Sequence, residues 1–194
     1  MAQNSVEKHQ TEILVIGGSA GSLEVILYAL PLLKNPLPIS IIIVLHRKNN
    51  SDSTLTNLFK AKTRIPVKEA EEKEVIRAGH IYIAPPGYHL LIEKNRTFSL
   101  DYSEKVHFSR PSIDLTFQTA AETYRESLAG LLLSGANADG AEGLELIKLT
   151  GGMVAVQNPK TAEVSYMPQQ ALDKLEPDYI LDIKQVADFI NGLA

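Results

Sequence analysis

The chain predicts an α/β fold: a doubly wound, mostly parallel sheet with helices on both faces and an antiparallel hairpin or meander near residues 80–101. Three observations carry that expectation. Short apolar runs, EILVIGG ending at Gly18, ISIIIVL ending at Leu45 and LAGLLLSG ending at Gly135, read as strands buried on both faces, as in a parallel interior. Segments with helical spacing separate several of these runs, so strand and helix alternate. The middle of the chain breaks the rhythm: HIYIA, YHLLIEK and RTFSLDY are separated only by PPG and a KNR turn. With no room for crossover helices, these three are expected to pair antiparallel.

The elements follow in order. Residues 1–11 are polar and expected to be a disordered lead-in, with 12–194 forming one domain. After the first strand, Leu23, Ile26, Leu27 and Leu30 recur at helical spacing, and Pro31 ends or kinks that helix. SDSTLTNLFKAK supplies N-cap candidates and places Leu55, Leu58 and Phe59 on one face. The acidic stretch EAEEKE at 69–74 reads as a solvated connection. Ile113, Leu115, Phe117, Ala120, Ala121 and Tyr124 mark a further helix, followed by the LAGLLL strand, a helix around AEGLELIKL and the strand MVAVQ. Gly151 and Gly152 suit the C-cap and turn between the last two. A strand at YILDI and a short closing helix complete the chain.

Composition excludes several classes of function. A formal net charge of -4 argues against phosphate-backbone binding as the main role, which needs clustered cations. The absence of cysteine removes disulfide scaffolds, thiolate catalysis and Cys-based zinc sites. No apolar stretch approaches a membrane span and the N-terminus is not a signal peptide, so a cytoplasmic protein without membrane insertion is expected. No His, Asp and Glu residues show metal-ligand spacing along the chain.

Three polar residues stand just beyond strand ends: Ser19, His46 and Asp139. Ligands bind at the carboxyl edge of an open parallel sheet, and a Ser, a His and an Asp gathered there have the parts of a nucleophile–base–orienter triad. Each also has a plainer explanation. GGSAGS could cap a helix or cradle a phosphate, although it lacks both the dinucleotide spacing and the P-loop lysine. His46 could be a structural residue or an anion contact. Asp139 precedes Gly140 in ordinary turn chemistry and suits the N-cap of the next helix, where the dipole favours an ionised carboxylate. His9, His80, His89 and His107 lie in the lead-in, the hairpin strands and a loop, and are poorer candidates.

The ordered series GGSAGS, LHR, GHIYIAPPGYHLLI, RPSIDLTF, LLLSGANADGAEGL and VQNPKTAEVSYMPQQA resembles the catalytic domain of the CheB chemotaxis protein-glutamate methylesterases, from about residue 12 to near the end. IAPPGYHLL and RPSIDLTF are its most specific segments. The resemblance implies a Rossmann-like Ser–His–Asp hydrolase with Ser19, His46 and Asp139 in those roles. It further implies removal of methyl groups from methylglutamates on chemoreceptor cytoplasmic helices, with no metal or organic cofactor. Glutamine deamidation would use the same acyl-enzyme. The chain order Ser…His…Asp sets the family apart from the α/β-hydrolases.

The chain departs from the family pattern in places. Ala20 stands where relatives often have a threonine, Leu45-His46-Arg47-Lys48 where many have Gln-His-Met-Pro, and Gly135-Ala136-Asn137-Ala138-Asp139-Gly140 where Gly-Met-Gly-Asn-Asp-Gly is usual. The resemblance implies a backbone oxyanion donor at Ala136, which does not depend on the side chain. The lead-in is too short for the receiver domain most relatives carry, so no receiver domain is expected and regulation falls to another chain or is absent. Arg47 and Lys48 are expected to face acidic receptor helices. The alternative from another class is a non-catalytic module of the same fold that docks on a receptor or signalling protein.

Overall fold

The computed structural model describes residues 10–47 and 54–193. Lys48, the N-cap candidates at 51–53 and residues 1–9 of the lead-in lie outside the described residues. The strands are β1 (Ile13–Gly18), β2 (Ser40–Leu45), β3 (Val67–Glu69), β4 (Ile81–Ile83), β5 (His89–Ile92), β6 (Phe98–Asp101), β7 (Leu128–Leu132), β8 (Met153–Gln157) and β9 (Tyr179–Leu181). The helices are α1 (Ser22–Ala29), α2 (Thr54–Lys60), α3 (Ile113–Tyr124), α4 (Ala141–Leu149), α5 (Tyr166–Lys174) and α6 (Val186–Gly192). Seven strands form one sheet in the order β3-β4-β2-β1-β7-β8-β9, with every neighbouring pair parallel. Among the described residues no helix is long and apolar enough to cross a membrane.

The apolar strand runs follow from two-sided burial. Side chains alternate between faces along a strand. Leu14, Ile16, Ile41 and Ile43 therefore pack on one side with Val25, Ile26, Val186 and Ile190 of α1 and α6. Ile13, Val15, Ile42 and Val44 pack on the other with Ile113, Phe117, Leu144 and Met167 of α3, α4 and α5. Each fully buried side chain of this size is worth roughly 1.5–3 kcal/mol, so the central strands hold the scaffold firmly.

The antiparallel pair is β5 with β6, His89 opposite Asp101 and Ile92 opposite Phe98. It is moored to α3 by threonines: Ile92 N donates to Thr119 Oγ1 at 3.0 Å, and Thr116 Oγ1 donates to the Leu90 carbonyl at 2.7 Å. HIYIA is not part of it. Its core, β4, lies between β2 and β3 and is parallel to both, because residues 70–80 make the crossover as irregular chain without a helix. The acidic stretch is correspondingly more than a solvated connection. Glu69 ends β3, Glu71 and Glu74 hold Lys68 at 2.9 Å each, and Glu72 accepts from Leu100 N at 2.7 Å.

Helix α1 also sits differently from its expected stripe. Ser22, Val25, Ile26 and Ala29 are buried, whereas Leu23 is exposed and Leu27 half-buried. The small Ser22 and Ala29 let the helix lie close to the sheet, which turns Leu23 outward. Leu30 is buried in the 3-10 turn Leu30–Leu32, where Pro31 ends the α-helix.

From β1 the chain first builds outward on the β2 side, then returns to lay β7 along the other side of β1. The carboxyl ends of β1 and β7 thus flank a topological switch point, where such sheets open a crevice.

Candidate active site

Backbone ladders carry three residues past the strand ends into that crevice. His46 N donates to the Gly18 carbonyl at 3.1 Å, and Ser19 N to the Ser134 carbonyl at 2.9 Å. Ser19 therefore lies between the extensions of β2 and β7. Gly135 allows the close approach: a methyl there would come within 3.0 Å of Ser19 Cβ and 2.5 Å of Met167 Cε. The 134–135 turn is itself held by side chains, with Ser134 N donating to Gln157 Oε1 at 2.8 Å and Ser134 Oγ to the Ala20 carbonyl at 2.7 Å. Among the described residues the Ala136 N–H has no acceptor, leaving a donor beside the serine turn.

His46 Nε2 lies 2.7 Å from Asp139 Oδ2, and Asp139 is 0% exposed. The carboxylate takes three further donors: Ile113 N at 2.7 Å, Asp114 N at 2.9 Å and Ser112 Oγ at 3.0 Å. Asp139 was expected to cap the helix that follows it. That helix, α4, begins instead after Gly140, whose φ of 97° suits glycine, and has no side-chain cap. The helix N-terminus that receives the carboxylate is that of α3, reached across the fold, and Ser112 is its N-cap. The electrostatic logic is unchanged, since free N–H groups and the positive end of a helix favour an anion.

Burial works against ionisation of Asp139, but the hydrogen bonds from His46 and from the Asp114 and Ile113 amides outweigh it and hold its carboxyl below the usual aspartate range. A second carboxyl pays for this arrangement. Burial, and then repulsion from Asp139, push Asp114 up to about 6. His89, a poor candidate for chemistry, is a strut: its Nδ1 accepts from Ser112 N at 3.0 Å and its Nε2 donates to the Glu104 carbonyl at 2.9 Å.

The other ring nitrogen meets a looser environment. With Nε2–H donated to Asp139, Nδ1 carries the lone pair and is the basic position. Ser109 Oγ approaches it at 3.3 Å and Asn137 Nδ2 at 3.4 Å. Among the described residues Ser19 Oγ makes no hydrogen bond to His46, although the two backbones adjoin. Catalytic hydrogen bonds are often long or poorly aligned until substrate binds. Sequence reasoning missed Ser109 and Asn137. Asn137 was absorbed into turn chemistry, and Ser109 stood just before the RPSIDLTF segment with no local pattern to mark it.

A cleft of about 430 Å³ opens on the Ser109 side of His46, with Arg47, Lys105, Phe108 and Arg110 in its lining. Arg47 is tied back to Glu69 at 2.6 Å and to the Ala84 carbonyl at 3.2 Å. Nearby, the exposed His107 and Glu142 and the buried Asp114 bring ligand-type atoms within 4.8 Å of one another. They come from three different elements, so spacing along the chain could not show them together.

The CheB methylesterase family model matches residues 14–190. A Leptospira interrogans protein, named provisionally as a protein-glutamate methylesterase/protein-glutamine glutaminase, is 47% identical over 182 residues, which cover 94% of each chain. A Thermotoga maritima protein with the same double name is 31% identical over 180 residues, 91% of this chain but 52% of that one. The crystal structure of the Thermotoga maritima CheB methylesterase catalytic domain superposes with a TM-score of 0.90 at 30% identity, covering 96% of this chain and all of that one.

Proposed function

Because the chain belongs to the CheB methylesterase family, we propose that it hydrolyses glutamate γ-methyl esters on the cytoplasmic helices of chemoreceptors, giving glutamate and methanol through an acyl-enzyme on Ser19. The observation that carries the proposal is the buried Asp139–His46 pair, set at the carboxyl edge of the sheet beside the Ser19 turn. In this mechanism Ser19 Oγ attacks the ester carbonyl and passes its proton to His46 Nδ1. The tetrahedral oxyanion takes hydrogen bonds from backbone N–H groups, the free Ala136 amide being the candidate. His46 returns the proton to the departing methoxide, and methanol leaves. Water then attacks the acyl-enzyme with His46 again as base, releasing glutamate and Ser19. Asp139 fixes the tautomer and stabilises the imidazolium.

Glutamine deamidation follows the same path with ammonia as the leaving group, which accords with the double name of the relatives. One observation favours a second reading, a non-catalytic docking module: Ser19 Oγ lacks a hydrogen bond to the base. Methanol release from methylated receptor membranes separates the two. The wild type should release methanol and Ser19→Ala should be slower by roughly 10³-fold or more with an unchanged thermal midpoint. No release by the folded wild type would leave only the docking module.

A further inference from the structure

Phe108 is 97% exposed, the most exposed of the large apolar side chains among the described residues. It stands at the tip of a two-residue hairpin closed by Ser109 N to the Val106 carbonyl at 2.8 Å and Val106 N to the Ser109 carbonyl at 3.2 Å. Both tip residues have positive φ, 48° at His107 and 62° at Phe108. Turns with two positive φ values are ordinarily filled by Asn-Gly or Gly-Gly; a histidine is tolerated at such a φ, but a phenylalanine is strained there. Strain of this kind persists only where the surroundings hold it, and it clusters at ligand-handling sites.

The hairpin's base is held. The Arg110 guanidinium lies 4.0 Å over the Tyr102 ring and donates to the Tyr102 and Ser103 carbonyls at 3.1 and 2.7 Å. Tyr102 in turn packs against Tyr88 with ring centroids 5.7 Å apart. Phe108 is thus an apolar side chain on an anchored mount, adjacent in sequence to Ser109, whose hydroxyl reaches His46. A lone exposed aromatic needs no explanation as such. This one borders the cleft that opens on His46.

Among the described residues the cleft itself is lined by cations, Arg47, Lys105 and Arg110, and by no carboxylate, in a chain whose formal net charge is -4. Arg47 is paired with Glu69, which leaves Lys105 and Arg110 as the charges without a carboxylate partner there. Continuity with the His46 site and this local positive charge point to one occupant. We infer that Phe108 is a docking finger for the protein substrate, packing on an apolar side chain of an acidic segment while Lys105 and Arg110 face its carboxylates. The inference rests on the methylesterase reading and adds a specificity-determining residue to it. Aromatic and Arg side chains are the usual centres of such contacts.

The test uses two readouts. In methanol release from methylated receptor, Phe108→Ala should raise KM about tenfold while kcat holds, with Phe108→Leu in between, as expected for one aromatic anchor. Lys105→Glu should also raise KM and flatten its dependence on salt. In a Ser19→Ala background, which cannot turn over, adding Phe108→Ala should weaken receptor binding by a similar factor. An active wild type with the same KM in Phe108→Ala overturns the docking role alone. A wild type that releases no methanol defeats the esterase reading, and the binding measurement then decides docking by itself. If Phe108→Ala instead changes the protein's own oligomeric state and leaves receptor binding unaltered, the finger serves a second copy of the chain and the inference is wrong.

Discussion

On its Nε2 side His46 meets a carboxylate that is fully buried and held by four donors between 2.7 and 3.0 Å. On its Nδ1 side the contacts among the described residues are at 3.3 and 3.4 Å, and the neighbouring Ser19 hydroxyl makes none to the ring. The same ring therefore joins a finished region to an unfinished one. The Asp139 half is fixed by the fold, because its groups cap α3 and would be costly to bury unpaired. In the proposed mechanism the other half is the one that reacts, and its looseness lets substrate bring Ser19 and His46 together. Damage to the first half should harm stability and rate together, and damage to the second should touch rate alone.

The largest effect is expected on the finished side. Asp139→Asn should lower kcat by roughly 10³–10⁴-fold, by favouring the wrong imidazole tautomer, and should also lower the thermal midpoint, because the α3 N-terminus loses its anion. Steady-state methanol release with thermal denaturation of the same preparation checks both. A variant as stable as the wild type would show that the two halves are not built differently after all.

Smaller effects belong to the open side. Ser109→Ala and Asn137→Ala should each change kcat by less than about tenfold, since a weak hydrogen bond is worth about 1 kcal/mol. Their stabilities should stay near that of the wild type. A loss from Ser109→Ala as deep as that from Ser19→Ala would place Ser109 in the reaction itself.

The smallest effect on rate is expected at Asp114, which is 8% exposed and bears the cost of burial and of lying beside Asp139. Its pKa in the folded protein, about 6, exceeds the 3.8 expected when unfolded, so the folded state holds its proton more tightly. Stability from this group is present below about pH 4 and is lost as the pH rises through 6. Asp114→Asn, which can keep the bond from Gly143 N through its amide oxygen, should therefore stabilise the protein by on the order of 1–2 kcal/mol at pH 8 and by little at pH 4. Urea unfolding at both pH values reads the difference. Equal effects at the two would remove the electrostatic account of this side.

How much could be seen in the sequence follows the same division. Strands β1, β2 and β7 were legible because burial on both faces demands continuous apolar runs, and their ends pointed to Ser19, His46 and Asp139. Strand β4 was misplaced because a crossover without a helix has no periodicity to read. The partners of Asp139 were hidden for another reason. That α3, rather than the adjoining α4, receives the carboxylate depends on packing between distant segments, and RPSID shows a capping serine without showing what else it caps. Ser109 and Asn137 meet only because the 106–109 hairpin folds over the strand ends, at 3.3 Å from one another.

The central claim is that Ser19, rather than the Ser109 hydroxyl resting nearer the base, is the activated nucleophile. A fluorophosphonate probe, followed by peptide mapping in a mass spectrometer, tests it directly. The adduct should lie on Ser19 in the wild type and disappear in both Ser19→Ala and His46→Ala, while Ser109→Ala still labels. An adduct on Ser109, or none on the folded wild type, would contradict the account.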